Sequence, residues 1–426
     1  MDQTVEGKVY INGTFQKCCI GISNGKISTI KRILKADEHF DFGNKLVLPA
    51  GIDIHVHFRD PGYPKKEDFS SGTMAAAFGG VSCVFDMPNT NPQTTSIQTL
   101  TDKISSANKK SFVDFGVYAG LTDNNIKNLV DLSKKCNGFK IFLGSSTNSL
   151  NFSLVNLKKA LKLIEESHKP VLFHAEDEKC LSKHVGLEKD IESHLKHRPF
   201  ICEEKAIRNI LNYSKDSNCK IHICHLSSCE GLELLRGRNS NISCGVTPHH
   251  IFFDVNKTLS STFLKVNPPI RSNFDKEMLF NGLKNGIVDI LESDHAPHTF
   301  EEKEVDFNIA PSGVPGVETL YPLFLYLAKK DQIPFQRLIS AFCEKPAHLL
   351  GISKGYIQVG CDADFVIIDL KNESKINSDN LHSKCDWSPF EGYSAVFPSC
   401  VFVRGERLIE DNEIQVSQGF GRFVGV

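Results

Sequence analysis

The chain lacks a long apolar run and has no excess of charge of one sign. Its 426 residues hold 49 lysines and arginines against 51 aspartates and glutamates, a net charge of −2. This balance offers no basic surface for a phosphate backbone, so nucleic acid is not expected as a main partner. No uninterrupted stretch of about 18 apolar residues predicts a membrane span. The N-terminus also lacks the basic and apolar segments of a signal peptide, so we expect a cytoplasmic protein without a membrane partner.

Cysteine is frequent, but its spacing lacks the pairs that are typical of thiolate metal sites. None of the 14 cysteines stands in a Cys-x-x-Cys pair, although Cys219, Cys224 and Cys229 recur every five residues. Thiols stay reduced in the cytoplasm, so we expect free cysteines. We interpret them as small buried hydrophobic residues rather than as zinc ligands.

The middle of the chain alternates apolar strands with helical patterns. The predicted strands are Ile52–Phe58, Val81–Met87, Val113–Ala119, Phe139–Leu143, Val171–Ala175, Lys220–Leu226, Ile242–Pro248 and Val288–Ser293. Eight strands alternating with helices predict an α/β fold of the (β/α)8 barrel type. An open doubly wound sheet is the alternative, but no Gly-x-Gly-x-x-Gly motif follows the first strand to support it.

The two ends of the chain share a different pattern, with short alternating strands separated by turns. Asn-Gly pairs at 12–13 and 24–25 mark hairpin turns near the N-terminus, and the C-terminal residues show the same alternation. We therefore predict that residues 1–48 and 353–426 together build a small β-sandwich module. The barrel would then span residues 49–352.

Histidine and aspartate cluster where the predicted barrel strands end. His55 and His57 end the first strand, His174 the fifth, His225 the sixth and Asp294 the eighth. Since the C-terminal ends of barrel strands converge on one mouth, these side chains should meet there. Any one of these histidines alone would be interpreted as a packed core residue, but the five together favour metal. They exceed the roughly four ligands of one Zn²⁺, so we predict two divalent ions.

Lys140 lies inside the fourth predicted strand, within the run GFKIFLG. A buried ammonium is costly and cannot act as a metal ligand. Two interpretations are equally supported by the residues alone. The neutral amine could react with CO2 to give a carbamate that bridges two cations, or the ammonium could pair with Asp294 or Glu176 as a buried ion pair.

Polar residues on loops at the same mouth suit an anionic substrate. Arg59 follows the first strand, and its guanidinium fork matches a carboxylate. Asn89, Asn267 and His298 follow the second, seventh and eighth strands. Each alone would be a turn or surface residue, but their common face with the metal cluster predicts substrate binding. Trp387, the single tryptophan, is interpreted as a packing residue of the end module.

The motifs that contain these residues resemble the cyclic amidohydrolases, and among them most of all the dihydroorotase family. The matching segments are HVHFRDPG at 55–62, MPNTNP at 87–92, GFKIFLG at 138–144, HAED at 174–177, HLSS at 225–228, KVNPPIR at 265–271, SDHAPH at 293–298 and PSGVPGVET at 311–319. The resemblance implies a (β/α)8 barrel with a small β-sandwich and a binuclear centre, usually of zinc. The implied ligands are His55 and His57 on one metal, His174 and His225 on the other, carbamylated Lys140 (N6-carboxylysine) as the bridge, and Asp294 beside the bridging water.

The resemblance also implies an activity, the reversible cyclisation of N-carbamoyl-L-aspartate to L-dihydroorotate plus water in de novo pyrimidine (UMP) biosynthesis. Asp294 would be the general acid and base. Arg59, Asn89, Asn267 and His298 would hold the substrate, and the segment Ala310–Glu318 would close over it.

Three alternatives to this activity stand. They are an allantoinase or hydantoinase-type cyclic amidohydrolase, a non-catalytic scaffold subunit, and a metal-dependent phosphotriesterase or deaminase on the same barrel. A homo-oligomer and an association with aspartate transcarbamoylase are both compatible with the resemblance.

Overall fold

Two eight-stranded sheets organise the chain in the computed structural model, which describes residues 1–144, 150, 152–258 and 261–425. In chain order the strands are β1 (Gln3–Ile11), β2 (Thr14–Ser23), β3 (Lys26–Lys31), β4 (Glu38–Pro49), β5 (Gly51–Val56), β6 (Val81–Asp86), β7 (Asp114–Gly120), β8 (Gly138–Phe142), β9 (Val171–His174), β10 (Ile221–Ile223), β11 (Ile242–Val246), β12 (Ile290–Leu291), β13 (Phe365–Ile368), β14 (Ser374–Lys375), β15 (Ser394–Ala395), β16 (Cys400–Val403), β17 (Glu406–Glu410) and β18 (Glu413–Ile414).

Strands β5 to β12 form the barrel, and each one pairs in parallel with the next. Every residue of β5 to β9 is buried, as expected for parallel strands that are covered on both faces. The first and last strands meet at a parallel bridge between Val56 and His295, beside a 2.7 Å hydrogen bond from His57 N to His295 O. The predicted (β/α)8 barrel is confirmed, and each predicted strand overlaps an observed one.

Helices connect the barrel strands and continue after the last one. They are α1 (Phe69–Phe78), α2 (Ile97–Lys110), α3 (Leu129–Ser133), α4 (Leu157–Ile164), α5 (Glu178–Leu181), α6 (Ile191–His197), α7 (Phe200–Ser214), α8 (Cys229–Leu234), α9 (Pro248–Phe252), α10 (Val255–Thr258), α11 (Asn273–Lys284), α12 (Phe300–Lys303), α13 (Leu320–Lys329), α14 (Phe335–Ile339) and α15 (Lys345–Leu350). Within the described ranges, none of the helices has the length and apolar character needed to cross a bilayer.

The second sheet joins the two ends of the chain in the strand order β18-β17-β16-β13-β4-β1-β2-β3. Its strands pack an apolar core of their own, in which Val5, Ile20, Phe365 and Phe402 are fully buried. A sheet module built from both ends is therefore confirmed. The division at residues 1–48, 49–352 and 353–426 stays a prediction.

The C-terminal part also returns to the barrel after it has completed the sheet. Phe115 of β7 accepts from Val424 N at 2.8 Å and donates to Arg422 O at 3.0 Å. Lys354 joins the two regions through ion pairs with Asp114 of β7 and with Asp362 and Asp364, which precede β13. The two sheets are thus tied together by backbone hydrogen bonds and by a buried charge cluster.

The cysteines depart from expectation at one place. Cys180 of α5 and Cys202 of α7 form a disulfide with a Cα–Cα distance of 5.3 Å, whereas free thiols were expected throughout. This pairing depends on how two helices approach each other, which no local spacing encodes. Ten of the twelve free cysteines are buried, as expected for small hydrophobic residues.

Candidate active site

Four imidazole rings and one carboxylate meet at the C-terminal mouth of the barrel. The ring centroids of His55 and His57 lie 5.3 Å apart, those of His55 and His225 5.2 Å, and those of His225 and His174 4.8 Å. Asp294 Oδ1 lies 3.3 Å from His55 Nε2 and 3.2 Å from His57 Nε2. The structure thus brings together the five residues that the strand ends predicted.

Left-handed backbone conformations occur at three residues of this mouth. The φ angles are +61° at Arg59, +38° at His225 and +47° at Asp294. Residues other than glycine seldom adopt such angles, which cost about 1–3 kcal/mol each and concentrate at functional sites. In each case the residue lies at or just beyond the end of a barrel strand, where the chain turns away from the barrel.

His55 in β5 and His57 in the following loop each place the ring nitrogen Nδ1 within hydrogen-bond distance of a side-chain oxygen. His55 Nδ1 lies 3.0 Å from Glu292 Oε2, and His57 Nδ1 lies 2.6 Å from Asn89 Oδ1. An acceptor at Nδ1 fixes the tautomer and leaves Nε2 of each ring as a free lone pair toward Asp294. Asn89, predicted as a substrate ligand, therefore also orients His57.

The other two histidines face each other on the far side of His55. His174 Nε2 lies 2.8 Å from Glu176 Oε2, a carboxylate that Arg198 also holds. His174 Nδ1 is then turned toward His225 Nε2, at 3.1 Å. His225 Nδ1 has no hydrogen-bond partner in the described part of the chain. A cation between the two facing nitrogens would use the lone pairs that they present.

The protonation states suit a metal centre. Burial lowers the pKa of His55 to about 4, lowers the pKa of His174, and holds the pKa of His225 well below its ordinary value. Burial opposes ionisation of Asp294, but the neighbouring His55 and His57 outweigh it and hold the pKa of the carboxyl well below the ordinary value. Neutral imidazoles and an ionised carboxylate are the forms that bind metals. These residues could therefore hold divalent cations.

Lys140 lies beneath this cluster and is fully buried. Its Nζ lies 3.4 Å from His55 Nε2 and 3.2 Å from Cys224 Sγ. Among the described residues no carboxylate forms an ion pair with it, so the predicted alternative of a pair with Asp294 or Glu176 is not what the structure shows. The amine instead contacts His55, one of the histidines of the predicted metal site.

A cavity of about 500 Å³ opens above the cluster. The four predicted substrate residues, Arg59, Asn89, Asn267 and His298, all line it, as do Pro311, Ser312 and Gly313 from the segment Ala310–Glu318. Asn267 Oδ1 is buried and has no hydrogen-bond partner among the described residues. A buried amide oxygen without a partner is an available acceptor for a ligand N–H.

The two predicted anion-binding residues lie against each other at the cavity wall. Arg59 donates from Nε to Pro297 O at 3.2 Å, and its Nη2 lies 3.1 Å from His298 Nε2. Burial and the charges of Arg59 and Lys66 hold the pKa of His298 well below its ordinary value, so the imidazole is neutral. Of this pair, the Arg59 guanidinium therefore carries the positive charge, and the His298 imidazole beside it is uncharged.

Two residues with a clear place in this site were not predicted. Glu292, buried between His55 and His222, directly follows the two apolar residues of β12 and lies two residues before Asp294, and a carboxylate at that buried strand end was the available signal. Lys66 lines the cavity with its Nζ 3.1 Å from His298 Nδ1 and 3.0 Å from Glu302 Oε1. It comes from a loop, where no periodicity points to the cavity.

Comparisons with known proteins find a family, curated relatives and solved structures that are similar to this chain. The family model described as "Amidohydrolase family" matches residues 46–407. The dihydroorotase of Methanosarcina acetivorans is 39% identical over 98% of this chain and 94% of its own. The dihydroorotase of Thermoplasma acidophilum is 39% identical over 100% and 98%. A solved L-hydantoinase (dihydropyrimidinase) from Arthrobacter aurescens is 29% identical and covers both chains fully, with a TM-score of 0.94.

The chain belongs to the amidohydrolase family and is an enzyme of the cyclic amidohydrolase class. Within that family it groups with the dihydroorotases, since relatives of that name match it over nearly their whole length at 39% identity.

Proposed function

We propose that the protein is a dihydroorotase, which interconverts N-carbamoyl-L-aspartate and L-dihydroorotate plus water in pyrimidine synthesis. One observation carries the proposal. A single cavity contains both the histidine–aspartate cluster and the Arg59–His298 pair, so a cyclic amide and a carboxylate can be held together. The dihydroorotase relatives support the same activity.

We propose two Zn²⁺ ions as cofactors, one on His55 and His57 and the other on His174 and His225. When bound, such ions would lower the pKa of a water and polarise the amide carbonyl. Lys140 would bridge them as a carbamate, formed when its neutral amine bonds to the carbon of CO2 and releases one proton. Its burial without an ion-pair partner supports this, because a lasting ammonium there would be uncompensated.

Asp294 would move the proton during the reaction. Its carboxylate is ionised and therefore ready to accept a proton from the attacking water in ring opening. The same group would then pass the proton to the leaving ring nitrogen as a general acid. Ring closure would run through the same steps in reverse.

Arg59, Asn267 and His298 would bind and orient the substrate. The guanidinium of Arg59 gives the substrate carboxylate two parallel donors, and its Nε is held by the Pro297 carbonyl. Asn267 Oδ1 would accept from a ring N–H. Lys66 adds a second positive charge at the cavity wall. Fixed orientation of this kind lowers the entropy cost of ring closure.

A hydantoinase-type activity is the second candidate, because the solved L-hydantoinase shares the whole fold at a TM-score of 0.94. A neutral cyclic amide would use the metal cluster in the same way. A neutral ring, however, has no carboxylate to pair with the positive charge of Arg59. Dihydroorotate carries such a carboxylate, which is why we favour it as the substrate.

Ultraviolet assays of the zinc-loaded protein test the proposal. Carbamoyl aspartate and dihydroorotate would be compared with hydantoin, allantoin and dihydrouracil. We expect turnover of the first pair only, and a raised KM without metal loss in Arg59→Gln, beside the exposed control Arg32→Gln. Turnover of the neutral rings in preference to dihydroorotate would overturn the proposal in favour of the hydantoinase class.

A further inference from the structure

Trp387 lies against the loop that carries His298, although its sequence position is in the C-terminal region. Its indole Nε1–H donates to the His298 backbone carbonyl at 2.8 Å, and the side chain is buried. Its ring packs edge-on against Phe263, with centroids 4.9 Å apart, and Lys303 Nζ lies 5.8 Å from the ring. Trp387 is a buried packing residue, but the interpretation that it packs the end module is wrong, since these partners belong to the barrel loops.

The hydrogen bond from Trp387 is made to a short stretch of backbone that also contacts Arg59 and carries the His298 side chain. The Pro297 carbonyl accepts from Arg59 Nε at 3.2 Å, and the next carbonyl, of His298, accepts from Trp387. These carbonyls belong to the two successive peptide groups on either side of the His298 Cα, so the backbone is held on both sides of His298. The first bond orients Arg59, and the second anchors on the indole the backbone that carries the His298 side chain.

Neighbouring residues of the same C-terminal segment contact Glu318 and Glu67, outside the cavity lining. His382 donates from its backbone N to Glu318 Oε2 at 2.8 Å, and its Nδ1 lies 2.7 Å from Glu318 Oε1. Ser383 donates to Glu67, which also contacts His295 beside Asp294. Glu318 ends the segment Ala310–Glu318, of which Pro311, Ser312 and Gly313 line the cavity. One C-terminal segment therefore contacts both the loop that carries His298 and the far end of the segment Ala310–Glu318.

We propose that Trp387 is a positioning residue that sets the affinity for the substrate carboxylate. It acts through the His298 carbonyl and the Pro297–His298 peptide on Arg59 and His298. The proposal rests on the proposed function, because it takes the carboxylate of carbamoyl aspartate or dihydroorotate as the group that Arg59 receives. It predicts an effect on substrate binding rather than on the chemical step.

Trp387→Phe tests the proposal, because phenylalanine keeps an aromatic ring against Phe263 and removes the donor. The loss of one hydrogen bond predicts KM values for carbamoyl aspartate and dihydroorotate about 3- to 10-fold higher, with kcat and metal content close to wild type. Tyr393→Phe is the matched control, since that ring packs against Phe252 and Phe253 and does not line the cavity. It should leave KM unchanged.

The wild-type protein supplies a second readout that needs no variant. Trp387 is the single tryptophan, so protein fluorescence excited at the indole reports this position alone. Carbamoyl aspartate should change that emission in a saturable way, at concentrations that follow KM. Unchanged KM in an active, folded Trp387→Phe protein, or unchanged wild-type emission at saturating substrate, would overturn the positioning role. Absence of wild-type turnover would instead remove the proposed function, and this inference with it.

Discussion

Two buried lysines occupy opposite electrostatic environments in this molecule. Lys354, at the junction between barrel and second sheet, has its Nζ 2.6 Å from Asp114, 3.0 Å from Asp362 and 2.8 Å from Asp364. Burial opposes its charge, but these carboxylates raise the pKa of Lys354 above the ordinary value. Lys140, at the barrel mouth, faces an imidazole and a thiol, and no described carboxylate pairs with it.

The difference separates a structural lysine from a functional one. A buried ammonium within a cluster of carboxylates is compensated, and its removal leaves uncompensated charge. A buried lysine without a compensating carboxylate indicates that the protein uses the reactivity of its amine, and such groups concentrate at functional sites. We therefore expect changes at the barrel mouth to affect chemistry and changes at the junction to affect folding.

The largest effect at the mouth should come from Asp294→Asn. The amide cannot accept the proton, so kcat should fall by about 10²- to 10⁴-fold in both directions. Metal content should stay near that of wild type, because the four histidines remain. Turnover assays and elemental analysis check this, with the exposed Asp131→Asn as control. Normal turnover in Asp294→Asn would exclude its role in proton transfer.

Lys140→Ala tests the mouth side of the comparison directly. If the carbamate bridges two ions, its loss should lower turnover by more than about 100-fold. Substitution of residues that only hydrogen-bond to metal ligands already lowers activity or metal affinity by about 10- to 100-fold. The number of zinc ions per chain should fall as well. Short-chain carboxylates added to Lys140→Ala should restore part of both, because they supply the missing anionic oxygens. Full zinc content with wild-type turnover in the variant would contradict the bridging role.

Lys354→Met tests the junction side. Three aspartates would lose their shared cation, so the free energy of unfolding should fall by about 3–5 kcal/mol. The folded fraction should keep wild-type kcat and zinc content. The exposed Lys134→Met, which loses only a surface pair, should change stability by less than about 1 kcal/mol. Denaturant unfolding followed by circular dichroism measures both, and a variant as stable as wild type would remove the distinction between the two lysines.

The smallest effect concerns acid stability. Burial opposes ionisation of Glu188, but its contacts with His194 and Lys265, each at 2.8 Å, lower its pKa to about 2. The resulting stability is present above the ordinary pKa and is lost as pH falls toward 2. Thermal midpoints between pH 5 and about pH 2.5 should therefore fall less steeply in Glu188→Gln than in wild type or in the exposed Glu192→Gln. Parallel curves would contradict this contribution.

The sequence predicted the barrel and the convergence of five side chains at its mouth because both follow from local patterns. Apolar runs mark the parallel strands, and strand ends converge once the barrel closes. His55, His174, His225 and Asp294 therefore needed no knowledge of distant contacts. Arg59 and Asn89 were also placed at the cavity, since they closely follow the ends of β5 and β6.

The remaining site contacts depend on approaches between segments that are distant along the chain. The hydrogen bond of Trp387 to His298 joins positions 89 residues apart, and the pairing of Glu292 with His55 joins positions 237 apart. The Cys180–Cys202 disulfide likewise depends on how two helices are placed. No periodicity reports such contacts, so Glu292 was missed and the partners of Trp387 were wrongly predicted.

The state of Lys140 is the most direct test of the contrast between the two lysines. Zinc-loaded protein prepared in ¹³C-bicarbonate would be examined by ¹³C nuclear magnetic resonance beside Lys140→Ala and Lys354→Met. We expect one carbamate resonance in wild type and in Lys354→Met, and none in Lys140→Ala. A fully active wild-type protein without that resonance would contradict the assignment of Lys140 as the modified bridge.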